Sequence, residues 1–288
     1  MHIRCRLGRV DTAGYLRRLG LAQAAPSAAG LRALHAAHVE RVAYEALQIW
    51  LDRPTTVDPL ESAARIIGGR GGYCYHLNGA FSALATALGY QVTRHVGGVQ
   101  TRGAEPGVIA NHLVLTVRGL PDEANPGGEW LVDVGLGDAL HEPLPLVAGS
   151  YVQGPFTYGL RPSEVAPGGW RFDHDPSGSF AGMDFGLAAT DMSAFTAMHE
   201  HLSTSPTSGF VRVLSVQRRD AKGVDSLRGL RLSRVGTWAD AITLDTAGDF
   251  YAALDDIFNL PLDDVEAEDR DKLWRKVHSA HETWLTSA

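Results

Sequence analysis

The chain has 288 residues, 44% of them hydrophobic and 20% charged, which excludes a disordered chain and is long enough to bury a core without covalent staples. Its 33 acidic residues against 26 basic ones leave a formal charge of −7, and a dedicated nucleic-acid binder would need a basic face instead. Two cysteines, Cys5 and Cys74, exclude a disulfide framework and a Cys-rich zinc module. The Arg-rich start lacks an apolar stretch, so the expectation is a cytoplasmic protein with reduced thiols and no membrane partner.

In chain order, the first ninety or so residues predict helices. Asp11 caps a short one through Tyr15, Leu16 and Leu19 that stops at Gly20. Ser27 opens a longer one whose stripe is Leu31, Leu34, His35, His38, Val39 and Val42. Asp58, Pro59 and Glu61 form a capping-box start that runs to Gly68. A fourth helix spans about Cys74 to Leu88, with Leu77, Phe81, Leu84 and Leu88 on one face and Gly89 as its stop. Short β-rich runs then appear at Tyr90 to Val99, His112 to Val117, Trp130 to Val134, Phe210 to Gln217 and Leu230 to Val235. The run from Arg161 to Ser179 is loop-rich. Helical stripes return with Phe250, Leu254 and Ile257, and with Leu273, Trp274, Val277, His281 and Trp284 in a segment opened by Asp263 and Asp264. This order favours an α+β fold with a largely antiparallel sheet or barrel.

Cys74 follows the run Gly68-Gly69-Arg70-Gly71-Gly72-Tyr73 and opens a predicted helix. A helix start offers unpaired N–H groups and partial positive charge, both of which favour a thiolate, and Arg70 would add to this. The run lacks the Gly-Lys-Ser/Thr ending of a phosphate loop. A nucleophile needs a base, and the base an orienting group. His112 sits in an apolar strand, Asp133 in the next one, and the turn-rich segment from Arg118 to Glu129 between them implies antiparallel pairing. That places His112 and Asp133 side by side, where a buried carboxylate finds its partner. Cys5 has no base in view. His199-Glu200-His201 has i, i+2 spacing, which is no zinc signature, and His35 and His38 carry no further ligand motif, so no metal is expected.

Arg70-Gly71-Gly72-Tyr73-Cys74 with Asn78, Asn111-His112, and Leu131-Val132-Asp133-Val134-Gly135-Leu136-Gly137 together resemble the nucleophile, His and Asp motifs of arylamine N-acetyltransferases. Leu31-Arg32-Ala33-Leu34-His35 with Glu40 and Glu45, Asp58-Pro59-Leu60, and Leu202-Ser203-Thr204-Ser205-Pro206 through Phe210 extend the resemblance in the same order. It implies an N-terminal helical bundle (1–90), an antiparallel β-barrel carrying His and Asp (91–205) and a C-terminal α/β lid (206–288). It also implies a cysteine-protease-like triad of Cys74, His112 and Asp133. The implied reaction is ping-pong transfer of an acetyl group from acetyl-CoA, through an acyl-cysteine, to an arylamine, hydrazine or related small-molecule amine. Tyr73, Tyr75, Leu136 and Tyr44 are expected to line the pocket. CoA is polyanionic, so its expected contacts are N–H groups at Gly135 and Gly137 and the cations Arg70 and Arg102, with Arg94, Arg212 and Arg218 also open. The chain departs from the family pattern at Ala43-Tyr44-Glu45-Ala46, where Pro-Phe-Glu-Asn is usual, and at His76, Leu136 and Asp138. His76, two residues beyond Cys74, is expected on the helix exterior. These departures keep two other readings open. One is an amide synthase taking an acyl or polyketide chain from an acyl carrier protein or another thioester. The other is a binding protein on a degenerate scaffold.

Overall fold

The computed structural model describes residues 8–236 and 240–287, so the reading of Cys5 lies outside the described residues. Helices α1 (Thr12–Leu19), α2 (Ala28–Arg41), α3 (Leu47–Trp50), α4 (Pro59–Ile67) and α5 (Cys74–Ala87) form the N-terminal region, with the short strand β1 (Tyr44–Glu45) between α2 and α3. The caps follow the sequence. Asp11 accepts from Gly14 N at 2.9 Å and Ser27 from Gly30 N at 3.0 Å, while Gly20 closes α1 in the left-handed region. Asp58 accepts from Leu60 N and Glu61 N, but the capping box is not reciprocal. Glu61 reaches past Asp58 to Thr56, and the Asp58 N–H goes to the Thr56 hydroxyl.

The strands β2 (Gln91–Gln100), β3 (His112–Arg118), β4 (Trp130–Val132), β5 (Leu144–Pro145), β6 (Gly149–Gln153), β7 (Phe156–Pro162), β8 (Trp170–Asp173) and β9 (Gly182–Phe185) form one antiparallel sheet in the order β5-β4-β3-β2-β9-β8-β7-β6. The stretch expected to be loop thus carries β8. The sheet curls until its edges nearly meet. Gln153 at the end of β6 accepts from His141 N and Glu142 N, and donates to Glu142 O, just ahead of β5. Alternation along β3 sends Leu113, Leu115 and Val117 towards the helices and Val114 into the barrel with Phe156, Tyr158, Phe172, Met183 and Phe185. The helical region and the barrel therefore share a core.

Beyond the barrel come α6 (Thr196–Thr204), α7 (Gly209–Arg212), β10 (Ser215–Asp220), β11 (Gly223–Arg228), β12 (Arg231–Gly236), β13 (Asp240–Thr243), α8 (Ala247–Ala252) and α9 (Ala267–Ser287). Phe210 to Arg212, expected as strand, is a helical turn because the Ser208 hydroxyl caps Phe210 N. The second sheet runs β1-β10-β11-β12-β13, so a strand of the N-terminal region forms its edge. It packs with α3, α8 and α9 around Trp50, Leu214, Phe250, Leu254, Phe258 and Leu273. Asp264 does not open α9; it pairs with Arg53 and Arg70. No helix among the described residues is long and apolar enough to cross a membrane.

His35 and His38 on α2 are fully buried. Burial lowers their pKa values to about 4 and about 3, so both are neutral at pH 7. An unfolded histidine titrates near 6.5, so the unfolded chain binds more protons below that value and stability falls as pH drops from about 6.5 towards 4. Chemical denaturation should show a loss of about 1–2 kcal/mol per buried histidine between pH 7 and pH 5. His38→Gln, which can still bond the Tyr15 hydroxyl, should lose about 1–2 kcal/mol less than the native protein over that interval; an equal loss in both proteins would contradict this account.

Candidate active site

The nucleophile candidate is placed by its loop. The Glu45 carboxylate, 1% exposed, accepts from Leu47 N and from Gly71 N, and the Glu45 N–H donates to Gly72 O at 2.9 Å. A Cβ at Gly71 would run into the Ala43 carbonyl, so only glycine lets the loop lie this close to β1. The loop delivers Cys74 to the first position of α5, where its N–H has no partner within the helix. The Cys74 side chain is 3% exposed, and its sulfur lies 3.7 Å from the Asn111 carbonyl oxygen.

His112 begins β3, and its Nε2 lies 2.7 Å from Asp133 Oδ2. Antiparallel pairing brings the two together, but not directly opposite. The register Leu115↔Val132 and Val117↔Trp130 offsets them by two residues, a diagonal on one sheet face. Burial alone would favour neutral imidazole. The Asp133 carboxylate, its hydrogen bond and the hydrogen-bonded Cys74 sulfur outweigh that and raise the His112 pKa to about 10. With Nε2 turned to Asp133, Nδ1 is the ring nitrogen left for the sulfur.

Asp133 is itself 1% exposed. Its Oδ1 accepts from Asn78 Nδ2 at 2.7 Å and from Gly135 N at 3.0 Å. Asn78 also donates to Leu113 O and accepts from Val134 N, tying α5 to both β3 and the end of β4. The Asp133 N–H points at His35 Nε2, 3.3 Å away. Asn78, His35 and Glu45 belonged to the recognised motifs, but their partners lie in distant segments, which hid their positioning roles. A Cβ on Gly135 would sit 2.8 Å from Cys74 Cα, so glycine is required where the Asp loop crosses the start of α5.

The residues expected to line the pocket each make contacts of their own. The Tyr73 hydroxyl bonds His199 Nδ1 at 2.6 Å, and its ring stacks on Phe210 at 4.9 Å. The Tyr75 hydroxyl donates to Ala110 O at 2.7 Å, and its ring packs on Phe195. Leu136 is buried with the barrel core, and half-buried Tyr44 meets Phe210. His76 is not exterior. It is 2% exposed, with Nδ1 3.4 Å from the Tyr73 N–H and Nε2 near the Thr55 hydroxyl. Helix α5 is buried on nearly all sides, so the position two beyond Cys74 faces protein.

The residues expected to contact the acyl donor have partners within the protein. The Gly135 N–H is spent on Asp133, and buried Arg70 pairs with Asp264, bracing the C-terminal segment against the loop. Exposed Arg102 donates to the Pro176 and Gly178 carbonyls. Gly137, with φ +69°, lies against Tyr44 and Gln217. Asp138 accepts from Ser179 N and faces His174 Nε2. No group of three or more His, Cys, Asp or Glu among the described residues is arranged to hold a metal.

A family model described as N-acetyltransferase matches residues 28–267. The chain is 36% identical to the arylamine N-acetyltransferase of Mycolicibacterium smegmatis over 152 residues, half of this chain and 53% of that one. It is 32% identical to proansamycin X synthase of Amycolatopsis mediterranei over 140 residues, 46% of this chain and 52% of that one. These matches thus span about half the length of the curated relatives. The solved structure of the Mycobacterium marinum arylamine N-acetyltransferase in complex with CoA superposes with a TM-score of 0.82 and 27% identity, covering 94% of this chain and 99% of that one.

Two outcomes follow from the geometry. ¹⁵N shifts of the His112 ring should remain those of an imidazolium at pH 8, and the stability its proton supplies should fade as pH rises from about 6.5 through 10; a neutral ring at pH 7 would contradict the arrangement. Asn78→Ala strands buried polar groups, so it should cost roughly 2–4 kcal/mol in calorimetry and slow alkylation of Cys74 by iodoacetamide. Alkylation at the native rate would show that Asn78 does not set the site.

Proposed function

The chain belongs to the N-acetyltransferase family, and from that premise we propose that it transfers an acetyl group from acetyl-CoA to an arylamine, hydrazine or related amine through acyl-Cys74. The observation that supports this most is Cys74 at a helix start, its sulfur acting on a histidine that is hydrogen-bonded to Asp133 and held protonated. In the first half-reaction the Cys74 thiolate attacks the thioester carbon. The carbon–sulfur bond to the donor breaks, and the His112 imidazolium gives its proton to the departing thiolate. One thioester replaces another, so little energy is lost. Acylation removes the thiolate that helped keep His112 charged, leaving neutral imidazole, which is the form the second half requires. The amine then attacks, His112 takes its proton, and Cys74 leaves as thiolate, restoring the ion pair. Asp133 fixes the ring's orientation throughout, and the Cys74 N–H is placed to stabilise the developing oxyanion. Amide formation from a thioester carries the second half downhill. The rings of Tyr73 and Tyr75, which flank Cys74 in the chain, pack on each other and on Phe210 and Phe195, and such apolar surroundings favour the amine over water. A cysteine that must return to thiolate suits a reducing compartment, so we place this work in the cytoplasm.

Intact-protein mass spectrometry after mixing with acetyl-CoA should show one acetyl adduct, lost in Cys74→Ala and discharged by an arylamine. A protein that takes no acetyl group would overturn acetyl transfer. Similarity to proansamycin X synthase favours a second reading, amide formation from another acyl thioester, and an adduct with longer acyl thioesters but none with acetyl-CoA would select it.

A further inference from the structure

The chain has eight tyrosines. The Tyr90 hydroxyl is influenced by the Ser27 backbone, and six others give their hydroxyls to protein groups: Tyr15 to His38, Tyr73 to His199, Tyr75 to Ala110 O, Tyr151 to Val147 O, Tyr158 to Ala139 O and Tyr251 to Arg270 O. Tyr44 does not; among the described residues its hydroxyl has no hydrogen-bond partner. The ring is nevertheless firmly held. Its backbone pairs with Gln217 of β10 and bridges to Gly72 of the nucleophile loop, and its ring meets Phe210 and the Gly137 turn. Glu45, the next residue, turns its carboxylate back to Gly71, so alternation along β1 sends Tyr44 the other way.

The groups that act electrostatically on the Tyr44 hydroxyl are Cys74, Tyr73, Asp138 and Tyr75, after burial itself, and together they hold the phenol well above its ordinary pKa. It is therefore a hydrogen-bond donor at any pH the enzyme would meet. A phenylalanine would fill the same space without leaving a donor unpaired in a partly dry wall.

We propose that the Tyr44 hydroxyl is a specificity group that donates to a neutral hydrogen-bond acceptor on the amine substrate, selecting aromatic amines whose ring bears a carbonyl. This rests on the acyl-transfer reading and names the substrate class of that site. The acceptor is neutral because the Asp138 carboxylate acts on the same hydroxyl when Cys74 is acylated and carries no charge, and an anionic ring substituent would be repelled. A ring held in the aromatic wall, with its amino group at the acyl carbon, extends a substituent away from Cys74, where a fixed donor can sort one ring from another.

The test compares 4-aminoacetophenone with 4-ethylaniline, which differ in the carbonyl. The readout is the ratio of their kcat/KM values in the native protein and in Tyr44→Phe, so differences in amine basicity cancel. Tyr44→Phe should lower the ratio about 10-fold in disfavour of the ketone. An unchanged ratio overturns the proposal, as does an equal loss for both amines. The acetyl adduct on Cys74, read before any amine is added, separately reports whether acetyl transfer itself stands. If no adduct forms, the calorimetric affinities of the two amines replace the rates: the same change in ratio supports the hydroxyl's role, and an unchanged ratio overturns it.

Discussion

Asp133 sits at the end of a strand with 1% of its surface exposed, where an unpaired carboxylate would be far too costly to keep. Its oxygens are divided between two tasks. Oδ1 takes N–H groups from Asn78 and Gly135, which fastens the first turns of α5 to the loop after β4. Oδ2 takes the ring of His112. The interaction that fixes the helix start against the sheet is thus the one that charges the histidine. Moving the Asp loop would shift both at once. Gly135 shows how tight the fit is, because one added carbon would meet the Cys74 backbone.

The loop before Cys74 is held from the other side. Glu45 binds Gly71 through a buried carboxylate that burial pushes above its ordinary pKa, with backbone N–H bonds and Arg70 pulling it back down. Arg70 in turn reaches Asp264 in the C-terminal segment. The loop before Cys74 is therefore clamped by β1, by the segment ahead of α9 and by the Asp133 network. Such a clamp lets one short segment present a thiol in a fixed direction. It also explains why strand β1, only two residues long, belongs to the C-terminal sheet while its side chains serve the N-terminal loop.

Cys74, His112 and Asp133 were legible because each breaks a local pattern. A cysteine follows glycines at a helix start, and two polar residues interrupt apolar strands. Their antiparallel association followed from the turn-rich segment between them. The two-residue offset did not, because Gly- and Pro-rich turns leave register open. His76 was misplaced because helical spacing indicates a side of α5, and α5 has almost no solvent side. Arg70 and Asp264 are 194 residues apart, and no local pattern links them. A cation in a glycine-rich run gives no local sign of so distant a partner. Likewise the side-chain caps at Asp11, Ser27 and Asp58 were readable, whereas Ser208 capped a turn inside a run that looked extended.

Two histidines meet Asp133, and their opposite protonation states show how the site acquires direction. His112 faces the carboxylate and is held charged, with its pKa raised to about 10. His35 approaches the amide of the same residue, and burial lowers its pKa to about 4 despite the nearby negative charge. Its Nε2 can therefore accept from the Asp133 N–H while Nδ1 donates to His141 O, an assignment open only to a neutral ring. A protonated His35 would have no lone pair for that amide and would compete with His112 for the carboxylate. Keeping one ring neutral behind Asp133 leaves the charge of the carboxylate directed to the other side, towards Cys74.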